Sequence, residues 1–148
     1  MAQANPDQRL RKLDKLVGTW DLKHRDLESG REWGGQDTFE WLDGGHFMAF
    51  HHKEFGHDIA GVMILGYEKK WGEDAPSREL TGHWFESSTG NHWKYIWDVA
   101  DDRVTFWLGA RGAPSVFEGS FTADHKAVTG TWTWPGGGYE LTMTRTSD

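Results

Sequence analysis

After a short opening segment, the chain reads as about ten short stretches of alternating character, and this cadence constrains its fold more than any other feature. The stretches run over Thr19–Glu28, Glu32–Trp41, His46–Lys53, Ile59–Tyr67, Arg78–Glu86, His92–Val99, Arg103–Leu108, Ser115–Phe121, Val128–Trp134 and Tyr139–Thr146. Between them lie compact turn sequences such as Glu28-Ser29-Gly30, Asp43-Gly44-Gly45, Ser87 to Asn91, Asp101-Asp102 and Pro135 to Gly138. Connections this short join neighbouring strands only as antiparallel hairpins. A meander of ten strands must close on itself or leave two exposed edges, so the cadence predicts an all-β, up-and-down antiparallel barrel.

One segment breaks the cadence. Leu10, Leu13, Leu16 and Val17 recur at three- and four-residue spacing, Pro6 suits a helix start, and Gly18 ends the run. This predicts a short helix over Pro6–Leu16, and no later segment offers a second. Within the strands, alternation sorts residues onto shared faces. Trp20, Leu22 and His24 share one, as do Trp33, Gly35, Asp37, Phe39 and Trp41, and as do Trp93, Tyr95 and Trp97. Parity does not say which face is inside.

Composition narrows the function classes. A chain of 148 residues supports one domain with a real core, spanning 1–148 with residues 1–5 expected to be disordered. Its 10 Trp, 8 Phe and 3 Tyr call for an aromatic interior. The net charge of −7, without clustered Lys or Arg, argues against nucleic acid and against anionic membrane surfaces. The absence of cysteine removes disulfides, thiol nucleophiles and thiolate metal sites. The opening residues Met1 to Gln8 are polar and unlike a signal peptide. No apolar run reaches the roughly 20 residues of a membrane-spanning helix. A soluble cytoplasmic protein is expected, as a monomer or homodimer.

The order of several motifs resembles the calycin superfamily of lipocalins, fatty-acid-binding proteins and nitrobindins. Leu16-Val17-Gly18-Thr19-Trp20 follows the helix, and Glu140 to Arg145 forms the last strand. Trp41-Leu42-Asp43-Gly44-Gly45-His46-Phe47, Ile64-Leu65-Gly66-Tyr67, His83-Trp84-Phe85-Glu86-Ser87 and Thr129-Gly130-Thr131-Trp132 are similar to motifs of small bacterial calycin-like domains of unknown function. The resemblance implies a structural trio of Gly18, Trp20 and Arg145, with Arg145 from the last strand stacked on Trp20 from the first. It also brings in haem, which nitrobindins hold through a histidine near the C-terminus. This chain has no histidine after His125, so that ligand does not carry over; no cofactor is expected, and haem held through another histidine is the third reading of the function.

A ten-strand barrel leaves a cavity, and aromatic faces interrupted by single polar groups suit a ligand pocket. The expected wall is Trp41, Trp84, Trp93, Tyr95, Trp97 and Trp107, with His51 and His83 as polar anchors. Trp20, Trp132 and Trp134 are expected in the barrel-closing core. The expected function is binding of a small hydrophobic, aromatic molecule. The alternative is a cofactor-independent isomerase, cyclase or lyase with His83 or His51 as general acid or base. A plainer reading of His83 is a paired core histidine. His46, His51, His52, His57 and Asp58 form the densest cluster, but neighbouring strand positions face opposite ways, so no metal site is expected. Asp37 and Glu118 are the acids that could point inward as a carboxylate pair.

Overall fold

The computed structural model describes residues 5–148. The expected disorder over 1–5 therefore falls, apart from Asn5, outside the described residues. Ten strands follow one another: β1 (Gly18–Asp26), β2 (Glu32–Trp41), β3 (Met48–Glu54), β4 (Ala60–Tyr67), β5 (Leu80–Glu86), β6 (His92–Val99), β7 (Arg103–Leu108), β8 (Val116–Phe121), β9 (Ala127–Trp134) and β10 (Gly137–Ser147). Each pairs antiparallel with its sequence neighbours, and β10 returns to β1, so the barrel is closed and has no free edge. The expected strands are all present, with ends displaced by no more than two residues. Closed ten-stranded meander and N-terminal helix together are consistent with a calycin-like fold.

The opening segment is helical over Gln8–Leu16, two residues shorter than expected, and it winds as a 3₁₀ helix. The sequence explains the winding. Leu10, Leu13 and Leu16 recur strictly every third residue, which aligns them on one edge at three residues per turn, and all three are buried. Asp7 caps the first turn, its carboxylate accepting from the Arg9 amide at 2.9 Å. Pro6 lies just outside this cap.

This helix closes one end of the barrel. Trp20, fully buried, donates its indole N–H to the Leu16 carbonyl at 2.9 Å. Trp20 and Arg145 are paired across β1 and β10, with the guanidinium carbon 4.2 Å from the indole centroid. Arg145 also donates to the carbonyls of Lys15, Val17 and His125, binding helix, first strand and last strand together. Gly18 is needed at that junction. It has φ +128°, and a Cβ there would come within 2.8 Å of Arg145 Nη1.

The hairpin turns between β1 and β2, β3 and β4, β5 and β6, β7 and β8, and β9 and β10 gather at the opposite end. No described helix is long and apolar enough to cross a membrane.

Candidate functional site

Inside the barrel lies a cavity of about 450 Å³. Leu16 of the helix, Phe39, Val128 and Met143 line its closed end, and His57, Ile59 and Trp134 lie at the turn end. Between them the wall is mainly aromatic: Trp33, Phe50, Trp84, Trp93, Tyr95, Trp97, Phe106, Phe117, Trp132 and Tyr139. Phe106 and Trp97 stack with centroids 4.4 Å apart, and Tyr95 meets both Phe106 and Trp132 edge-on. An inward glycine makes room for one of these rings. A Cβ on Gly61 would lie 2.6 Å from the Trp84 indole, so only glycine lets that ring lie across β4.

One sector of the wall is polar. The register of β2 on β3 sets Asp37 directly beside His52. His52 Nδ1 donates to Asp37 Oδ1 at 2.6 Å, and Nε2 donates to Glu54 Oε2 at 3.0 Å. The other Glu54 oxygen accepts the Trp33 indole N–H at 2.6 Å. Burial by itself would lower the His52 pKa. Asp37 and Glu54 outweigh it and push the imidazole up to about 10, so it is protonated at neutral pH. Burial raises Asp37, and Tyr139, whose ring meets His24 and Trp33 edge-on, is lifted well above the ordinary phenol value, again chiefly by burial. His52 has both nitrogens committed. It fixes charge in the wall and has no free nitrogen with which to exchange protons with a ligand.

His24 is the contrasting histidine. It is fully buried and stacks flat on Trp33 at 4.9 Å between centroids. Burial lowers its pKa, leaving it neutral. Its Nδ1 lies 3.3 Å from the Trp33 carbonyl, which requires the proton on Nδ1 and leaves Nε2 as an acceptor. That Nε2 is buried and has no hydrogen-bond partner, and the same holds for His57 Nε2.

Of the eight residues expected at the ligand, Trp84, Trp93, Tyr95 and Trp97 line the cavity. Trp41, His51, His83 and Trp107 do not. Trp41 has the inward parity but sits at the helix end, where its N–H donates to Asp14 at 3.0 Å and Arg11 covers its ring. His51 is on the outer face beside Glu40 at 3.0 Å. His83 is also outside and partly exposed, paired with Glu68, so it is neither a cavity anchor nor the buried core histidine of the plainer reading; only its being paired holds. Trp107 packs outside beneath Arg111, and Phe106 takes the inward place on its strand. The expected core trio divides. Trp20 is in the base, Trp132 lines the cavity, and Trp134 is 39% exposed at the turn end. Asp37 points inward, whereas Glu118 is exposed on the outer face, so the two do not face each other across a cleft.

The residues that sequence reasoning passed over are His52, Glu54, His24 and Tyr139. A signal for the first two was present. On β3 the face of Met48, Phe50, His52 and Glu54 carries the bulk of the apolar surface, whereas Ala49, His51 and Lys53 carry little, and the heavier face belongs inside. The same weighing selects Phe106 over Trp107 and Trp84 over His83.

No group of three or more His, Asp or Glu among the described residues is arranged to hold a metal ion. Haem fits the cavity poorly. His24 and His57 offer nitrogen, but the wall contains Asp37, Glu54 and Glu86 and no Lys or Arg to meet two propionates. No protein-family model and no curated protein matches this chain.

Proposed function

We propose that the barrel binds a small hydrophobic, aromatic molecule in its cavity. The observation that carries this reading is the cavity itself, about 450 Å³ with a wall of Trp, Tyr and Phe broken by one polar sector. Ligand pockets commonly measure roughly 300–1,000 Å³ and combine apolar walls with a few placed polar groups. The helix and the Trp20–Arg145 contact hold one end shut, so ligands enter among the turns. The four motifs and the closed meander support a place among the small bacterial calycin-like domains. The lack of cysteine fits a cytoplasmic protein, acting as a monomer or homodimer. The test is a titration with N-phenyl-1-naphthylamine, an uncharged aromatic probe whose emission rises on leaving water. Saturable enhancement, with quenching of tryptophan emission and a higher melting temperature, is expected; no change in any of the three would overturn the reading.

A second reading, a cofactor-independent isomerase, cyclase or lyase, draws on His24, the neutral cavity histidine with a free acceptor nitrogen. It replaces His83 and His51 as the base, because those two lie outside the barrel. A converted substrate that a His24→Gln variant binds but no longer turns over would select this reading. Unchanged turnover in that variant would dismiss it.

A further inference from the structure

The charge of the cavity wall narrows the class of ligand, and this step rests on the binding function proposed above. Three carboxylates, Asp37, Glu54 and Glu86, line the cavity, and neither Lys nor Arg does. Among the described residues that line the cavity, the only fixed cation is the His52 imidazolium, and both of its N–H groups are spent on Asp37 and Glu54. An anionic ligand would therefore meet net negative charge, with only the uncharged indole N–H groups of Trp93 and Trp97 unpartnered as donors. An ammonium group meets the opposite: carboxylate oxygens, electron-rich indole faces and an unpartnered acceptor, the buried Nε2 of neutral His24.

Glu86 is the least encumbered of the three acids. It accepts from the Trp84 indole at 3.3 Å and from the Thr89 hydroxyl at 2.6 Å, and it has no cationic partner among the described residues. Each carboxylate oxygen can accept twice, so Glu86 keeps capacity for a further donor. The register places Gly61 between His52 on one side and Glu86 on the other, bringing this acid next to the polar sector across β4.

We infer that the cavity selects an aromatic or otherwise apolar amine, carried as its cation, with the ammonium group between Glu86 and the His52–Glu54 sector and the apolar body among the tryptophans.

Calorimetric titration at pH 7 with three probes of one shape tests this: 2-(1-naphthyl)ethylamine, 2-(1-naphthyl)ethanol and 1-naphthylacetate. The amine is expected to bind at least about tenfold more tightly than the alcohol, a difference of about 1.4 kcal/mol, with the carboxylate weakest. Glu86→Gln should narrow the amine-to-alcohol ratio several-fold. Glu118→Gln makes the same change of net charge on the outer face and should leave the ratio as it was, which separates the wall from the overall charge of −7. If the alcohol or the carboxylate binds as tightly as the amine, or if both variants shift the ratio alike, the inference is overturned while cavity binding stands. If none of the three binds, cavity binding is overturned and the inference falls with it.

Discussion

The two ends of this barrel treat their polar groups in opposite ways. At the helix end, the Trp20 N–H has its carbonyl, and Arg145 is spread over three carbonyls and an indole face. In the cavity wall, His24 and His57 each bury a nitrogen without a partner, and three acids face one imidazolium. Buried polar groups are normally paired, because an unmade hydrogen bond costs about 1–3 kcal/mol. The helix end is therefore built for stability. The wall holds unspent hydrogen-bonding capacity, which a fold tolerates where a ligand supplies the partner.

Changing each region should have a different consequence. The largest effect is expected at the base. Trp20→Ala removes a fully buried indole, its hydrogen bond and the seat of Arg145 together. Loss of about 5 kcal/mol, the upper range for Trp→Ala in a core, should appear in urea denaturation. A loss under about 1 kcal/mol would mean that the base is not what holds the barrel closed.

Next comes His52→Gln, which leaves Asp37 buried without its cation. The expected cost is about 3 kcal/mol, at the low end for breaking a buried pair because the His52 side chain keeps 16% exposure. Its pH dependence is more telling than its size. The folded pKa of His52 is raised to about 10, so its contribution is fully present below the ordinary histidine value of about 6.5 and is lost as pH rises through 10. The melting temperature of the unaltered protein should therefore fall between pH 7 and pH 10, and His52→Gln should flatten that slope. Equal slopes would remove His52 from the account.

The smallest effect on stability is expected at His24. His24→Phe keeps the stack on Trp33 and deletes the unpartnered nitrogen along with one long hydrogen bond. Thermal unfolding should move by less than about 1 kcal/mol, since the two changes oppose each other. The calorimetric affinity for the naphthyl amine should nonetheless drop. A large stability loss with unchanged binding would reverse the comparison between base and wall.

How much of this was legible in the sequence follows from the same contrast. The base could be read because its parts are local or terminal: a leucine every third residue, a glycine stop, and Trp20 and Arg145 on the first and last strands. The strands could be read because turn residues punctuate them. The wall was only half legible. Alternation grouped His52 with Phe50 and His51 with Ala49, but choosing the inner face required weighing apolar bulk along each strand. Trp41 shows a further limit, since correct parity at the wrong end of a strand leads to the helix instead of the cavity. The Asp37–His52 pairing depends on the register between β2 and β3, which the intervening Leu42–Phe47 turn sets and alternation alone does not reveal.

The central claim is that the cavity takes an aromatic guest, and titration with N-phenyl-1-naphthylamine tests it most directly when the unaltered protein is compared with Trp84→Ala. Trp84 lines the cavity across Gly61, so the account predicts saturable one-to-one binding to the unaltered protein and an altered affinity in the variant. No saturable enhancement, or identical curves for the two folded proteins, would contradict it.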